Sequence, residues 1–274
     1  MSLALRRIAA ALVFALAAVA LPALRTLPAC AQPAAVAPAG DALARIRQTG
    51  VLRVGLTGDY DPFSVVDGTG AFHGVDVDAA TMLASAIAPN VKVQIVKTSW
   101  PTMSEDLLAG KFDLAMGGVS RNKSRAESGE LSHTYLVDGK VALIRVADKA
   151  RFHTLADLDR EGVTVLVNPG GTNQQFVAAT IANAKVVVVP DNRAIPTMVA
   201  DGRGDVMFTD GVEAKLAAKR DPRLLVLAAD QPWTRVEKVY YLPKGQTAFL
   251  DLVNAWVDKM QTSGEYAKLW AKYL

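Results

Sequence analysis

Seven side chains carry most of the chemistry this sequence offers: Tyr60, Trp100, Ser120, Arg125, Thr172, Asn173 and Asp210. Each stands in a polar segment that follows an apolar run, where α/β sheets place their ligand loops. Arg125 offers a planar fork for a carboxylate, and Ser120 adds a hydroxyl donor. Asp210 can accept from an ammonium, while Tyr60 and Trp100 can cover an apolar group. The set is complementary to a small zwitterion or a dicarboxylate. Around Val163 to Phe176 a β-branched run ends in Asn168-Pro169-Gly170-Gly171, and Thr172 and Asn173 read as caps of a helix beginning near Gln174. A strand, turn and helix in that order aim free backbone N–H groups at whatever lies above the turn, which favours small anions. Taken singly, Arg125 also fits a solvated surface arginine, Asp210 a helix cap and Trp100 a core plug.

Other chemistries find no support in the residue pattern. His73, His133 and His153 lie far apart with no acidic or histidine neighbour at ligand spacing, so no metal site is expected. Gly117-Gly118-Val119-Ser120 is not a nucleophile elbow, and the chain carries neither a phosphate-binding loop nor a dinucleotide fingerprint. No cofactor is implied. The formal charge is +3 over 274 residues, but Arg6, Arg7 and Arg25 fall in the leader, and without them the basic residues match the 27 acidic ones. A neutral surface with no basic cluster excludes nucleic acid as an expected partner.

The elements that must position these residues are legible from periodicity. Residues 1–31 read as a secretory signal: Arg6-Arg7, the apolar run Ile8 to Leu24, then Ala29-Cys30-Ala31 as a small-x-small cleavage site. Cleavage after Ala31 would remove the only cysteine, whereas lipidation of Cys30 is the alternative. No second apolar span follows, so no membrane span is expected. Residues 32–40 form a flexible lead. The spacing then predicts a helix at Asp41 to Gln48 and a strand at Val51 to Leu56. Beyond them Phe72 to Val77 reads as extended, with a helix from Ala79 to Ile87 capped by Asp78. Strands at Val91 to Val96 and Phe112 to Met116 flank a helix at Met103 to Leu108. Past Tyr135 the pattern repeats. Strands are expected at Val141 to Val146, Val163 to Val167, Val186 to Val189 and Asp205 to Phe208, with helices at Leu155 to Leu158, Gln174 to Asn183 and Ile195 to Ala200. Val239 to Leu242 is extended, and the tail from Phe249 to Tyr273 carries Leu250, Val253, Trp256, Val257 and Met260 as a core-packing stripe. The expected fold is therefore α/β and two-lobed, each lobe a doubly wound sheet, joined by two crossing strands. One lobe takes residues 41–138 and 240–274, the other 139–239.

With these elements in place, the motifs resemble those of the bacterial extracellular solute-binding proteins of family 3, the amino-acid-binding type with a periplasmic-binding-protein fold. Gly74-Val75-Asp76-Val77-Asp78 is similar to the family's Gly-Phe-Asp-Val-Asp, departing at Val75. A Gly-x-Ser/Thr-x-Thr/Asn-x-x-Arg run starts at Gly118, places the family's ligand serine on Ser120 and ends at its carboxylate-binding arginine on Arg125. The resemblance also implies a stacking aromatic at Tyr60, a second-lobe turn over Gly170, Gly171, Thr172 and Asn173, and an ammonium-binding aspartate at Asp210. Within the family the likeness extends to periplasmic cyclohexadienyl dehydratases, through Thr57-Gly58-Asp59-Tyr60, Thr98-Ser99-Trp100-Pro101, Asp138-Gly139-Lys140 and Asn168-Pro169-Gly170-Gly171-Thr172-Asn173. Those enzymes carry a glutamate after Gly-Gly-Thr-Asn as general acid, and here that position is Gln174. An amide cannot deliver a proton, and losing a general acid costs about 10²- to 10⁴-fold in rate. Glu213 and Glu237 are other carboxylates of this half that could in principle substitute, with no spacing that puts either in place. The resemblance thus implies a receptor for an amino acid or related, aromatic or apolar organic acid, serving an ABC permease. It leaves open a prephenate or arogenate dehydratase with a displaced acid, and a sensory binding protein.

Overall fold

The computed structural model describes residues 40–274; the expectations for the signal and for residues 32–39 lie outside these. Two five-stranded sheets organise the chain. In the first, Val51–Leu56 pairs in parallel with Lys92–Lys97 and Leu114–Ala115, and Tyr241–Leu242 returns antiparallel between Leu114–Ala115 and Glu130–Leu131. Alternation sets the faces, with Leu52, Val54 and Leu56 fully buried. The helix Ala42–Thr49 begins where the Asp41 carboxylate accepts from the N–H groups of Leu43 and Ala44, and Gly50 ends it at φ 70°. The C-terminal stripe packs as expected: Val253, Trp256, Val257 and Met260 of Thr247–Thr262 are buried with Leu83 of Val75–Ile87 and Phe249 in one core.

In the second sheet, Thr164–Val167 lies parallel between Lys185–Val188 and Val206–Asp210. Lys140–Arg145 runs antiparallel to Val206–Asp210, and Leu224–Leu227 antiparallel to Lys140–Arg145. Apolar clusters cover both faces, one around Leu143, Leu166 and Met207, the other around Val165, Phe208 and Phe152. The chain crosses between sheets along Leu136–Asp138 and Val236–Lys238, which pair antiparallel.

Several local expectations are corrected. The helix expected behind Asp78 starts earlier, at Val75, because only Phe72–His73 stays extended and Gly74 turns the chain. Asp78 then faces outward, where its carboxylate accepts from Lys272 Nζ at 2.5 Å and Tyr273 at 2.9 Å. Thr172 and Asn173 are the first residues of the helix Thr172–Thr180 and not its caps; Gly171 holds the cap position without a side-chain bond. Their side chains are drawn instead toward Lys140. The polar loop after Tyr60 contains a small antiparallel sheet of Asp59–Tyr60, Ser64–Val66 and Phe72–His73. Lys123–Ser128 and Gly211–Arg220 are helices and Leu224–Leu227 a strand that the pattern reading passed over.

Candidate functional site

Strand register assembles the site. Asp210 ends its strand directly opposite Lys140, the first residue of the neighbouring antiparallel strand. Lys238, last in its crossing strand, bridges to Ser120. Lys140 Nζ therefore lies 2.7 Å from Asp210 Oδ1, and Lys238 Nζ 2.6 Å from Oδ2. Tyr60 donates its hydroxyl to the same Oδ2 at 2.5 Å. All four side chains are buried. Burial alone would raise the Asp210 carboxyl, but the ammoniums of Lys140 and Lys238 hold it well below the usual carboxylate range. Desolvation lowers Lys140, with Asp210 opposing the shift.

The wall of the first lobe is set by Asp76. Its buried Oδ2 accepts from Gly117 N–H at 2.8 Å, Gly118 N–H at 2.7 Å and Tyr135 at 2.9 Å. This fixes a turn with Gly118 at φ 77°, where an added Cβ would stand 2.6 Å from the Tyr60 ring. The turn aims Gly118 O and Ser120 Oγ at Lys238 Nζ, 3.1 and 2.9 Å away. Arg125 is buried behind, giving one N–H to Ser120 O at 2.7 Å, with its guanidinium carbon 5.8 Å from the Trp100 ring centre. Desolvation lowers this guanidinium to about 10. Trp100 donates its indole N–H to Asp59 at 3.0 Å and meets Tyr60 edge-on.

Across from them, Asn173 Oδ1 accepts from Lys140 Nζ at 2.5 Å, and its amide nitrogen donates to Asn168 and Thr209. Thr172 accepts from Lys140 at 3.1 Å. Eight of the ten anticipated residues, Tyr60, Trp100, Gly118, Ser120, Gly171, Thr172, Asn173 and Asp210, line one cavity. Arg125 and Gln174 do not line it. Arg125 stands behind Ser120, and the Gln174 side chain folds back so that its Oε1 accepts from Gly170 N–H at 2.6 Å. In this conformation the Gln174 amide therefore serves its own turn and not the cavity. Enclosed space is about 20 Å³, room for one water-sized molecule. A larger molecule enters only with the lobes apart or a side chain displaced.

Lys238, Asn168 and Asn192 also line the cavity, and none was singled out from sequence. Lysines at the edge of an extended segment read as surface residues; the one available signal was that Lys140 and Lys238 each directly precede an apolar run. Of the two alternative carboxylates, Glu237 is solvent-facing and accepts from Arg121 and Thr134. Glu213 is buried beneath Thr209, whose hydroxyl donates to its Oε2, while Asn192 Nδ2 donates to Oε1 at 2.7 Å. Desolvation, with the nearby Asp210 charge adding to it, pushes Glu213 up to about 8. Among the described residues no cluster of metal-ligating side chains occurs.

The two lobes touch directly. Asn192 donates to Asp59 O at 3.0 Å, Arg193 to Val66 O at 2.6 Å, and Arg220 pairs with Asp61. Gly170, at φ 78°, meets Pro101; a Cβ there would lie 2.5 Å from Pro101 N and 2.6 Å from Cδ. Gly170→Ala is therefore expected to hold the lobes apart, with a left-handed strain of about 1–2 kcal/mol. Small-angle scattering should register a larger radius of gyration, and a curve identical to the parent's would contradict it.

Two α/β lobes, a pair of crossing strands and a cavity walled by loops from both sheets define a two-lobed periplasmic-binding-protein fold. The chain belongs to the bacterial extracellular solute-binding proteins, family 3, whose family model matches residues 52–274. It is 40% identical over 234 residues to cyclohexadienyl dehydratase of Pseudomonas aeruginosa, covering 84% of this chain and 86% of that one. Among solved structures, an ancestral amino acid-binding protein, a precursor of cyclohexadienyl dehydratase, superposes with a TM-score of 0.76 at 30% identity, over 84% of this chain and 98% of that one. An ancestral cyclohexadienyl dehydratase is 45% identical over 86% of this chain and 98% of its own, with a TM-score of 0.54.

Proposed function

We propose that this chain is an exported solute receptor whose lobes, 41–138 with 240–274 and 139–239, close on a small carboxylic acid and present it to an ABC-type permease. One observation carries the reading: loops of both sheets meet around one cavity, with Tyr60, Trp100 and Ser120 on one side, Thr172, Asn173 and Asp210 on the other and Lys238 of the crossing strand between them, while Arg125 stands directly behind Ser120. Contacts made only when both lobes engage the ligand would drive closure. Residues 1–31, as a signal, would deliver the chain to the periplasm. Thermal-shift screening against amino and oxo acids tests the proposal. Arg125→Ala is expected to weaken any ligand found by at least tenfold, since truncating one partner of a buried charged contact costs about 2–5 kcal/mol. A ligand shift of full size in that variant would show that Arg125 is not the carboxylate anchor.

The second reading, a prephenate or arogenate dehydratase, is favoured by the 40% identity to such an enzyme. Against it stands Gln174, which cannot act as an acid and whose side chain is engaged by Gly170. Incubation with prephenate and arogenate, followed by detection of phenylpyruvate and phenylalanine, separates the two. Turnover would favour the enzyme; binding without turnover, the receptor.

A further inference from the structure

Lys238 Nζ sits in a complete receptor for a cation. The Asp210 carboxylate at 2.6 Å, Ser120 Oγ at 2.9 Å and Gly118 O at 3.1 Å surround it with acceptors. The Tyr60 and Phe63 rings lie 5.0 and 5.5 Å from it, at distances where a ring quadrupole attracts a cation. The residue is wholly buried and lines the cavity. On its other oxygen Asp210 already carries Lys140. A ligand entering this cavity thus meets no bare carboxylate. It meets a carboxylate already neutralised by two ammoniums of the chain itself, with a surplus of positive charge.

We propose that Lys238 fills the cation subsite with the chain's own ammonium, so that the cavity selects carboxylic acids lacking an amino group over the matching α-amino acids. This rests on the carboxylic-acid reading above and specifies its ligand class. An α-ammonium would have to displace Lys238 from Asp210 or lie beside it, and like charges in a buried site repel strongly. A 2-oxo or 2-hydroxy acid carries no such charge, and its oxygens can accept from the lysine.

Two arms test this. In the first, wild type is titrated by calorimetry and indole fluorescence with phenylpyruvate against L-phenylalanine and with 2-oxoglutarate against L-glutamate. The oxo acid of at least one pair is expected to bind tenfold or more tightly than its amino acid, and Lys238→Met should erase or reverse that preference. Equal or tighter binding of the amino acid by wild type, or an unchanged preference in Lys238→Met, overturns the proposal. The second arm needs no carboxylate ligand. Lys238→Ala lacks three methylenes and an ammonium, which propylammonium supplies. Propylammonium chloride should raise the melting temperature of Lys238→Ala and leave wild type unchanged, while n-propanol should raise that of neither protein. Absence of amine rescue overturns the assignment of a cation subsite. If no acid binds wild type but the amine rescues the variant, the subsite stands and the carboxylic-acid reading falls.

Discussion

Asp210→Ala is expected to destabilise the folded chain by about 3–5 kcal/mol, the cost of removing one partner from a buried ion pair. Lys140 and Lys238 both rely on this carboxylate, at 2.7 and 2.6 Å, and both are buried. Without it two ammoniums stay in a water-poor cleft, Lys140 with only Thr172 and Asn173 as acceptors. Tyr60 loses its acceptor as well. Asp210→Asn keeps the shape and one acceptor but not the charge, and should lie in the same direction with a smaller loss. Urea unfolding at neutral pH measures both. Raising the pH should narrow the gap to wild type, because a buried lysine without a counter-ion tolerates burial once deprotonated. A loss under about 1 kcal/mol for Asp210→Ala would mean that the triad is better hydrated than its geometry indicates.

Glu213 should make stability fall as pH rises. In the folded chain its carboxyl is pushed up to about 8 by burial, against an ordinary value of 4.5. Between those values the native state holds a proton that the unfolded chain has released, so unfolding becomes easier with each increment of pH. The contribution is fully present below about pH 4.5 and lost as pH climbs through about 8. Each unit of such a difference is worth about 1.4 kcal/mol, so the span amounts to a few kcal/mol. Glu213→Gln keeps its carbonyl oxygen as an acceptor for Asn192, turns an N–H donor toward the Thr209 hydroxyl and carries no titrating proton. Its unfolding free energy, measured by urea at pH 5, 6.5 and 8, should vary less than that of wild type, and at pH 8 and above it should be the more stable protein. Parallel pH profiles for the two would place the titration elsewhere. Because Glu213 touches the cavity-lining Asn192, ligand affinity measured across the same range should shift with it.

Much of the fold is legible in short windows. The strands at Val51–Leu56 and Thr164–Val167 and the helices Met103–Leu108, Leu155–Leu158 and Ile195–Ala200 follow the local apolar period, which is set by which face of one element meets a core. Helix starts were less legible. Gly74 and Gly171 begin their helices without a side-chain cap, so the acidic and amide residues that look like caps, Asp78 and Asn173, were free for other partners. Gly211–Arg220 was passed over because three of its five apolar positions are alanine, which marks a buried face only weakly.

The loops that form the cavity were anticipated because strand ends and turn residues mark them, and motif likeness singled out Tyr60, Ser120, Asn173 and Asp210 among them. Sequence by itself thus determined the two α/β halves, the loop set and the carboxylate-binding character of Arg125 as an expectation. Tertiary structure alone decided what Asp210 holds. Its partners are the chain's own lysines, one brought opposite by the register of Lys140–Arg145 against Val206–Asp210, the other delivered along the second crossing strand. Register and crossing geometry are set by the packing of whole sheets, not by the residues flanking a lysine. In sequence Lys140 and Lys238 therefore look like solvated charges, while in the fold they neutralise Asp210, a carboxylate that lines the cavity.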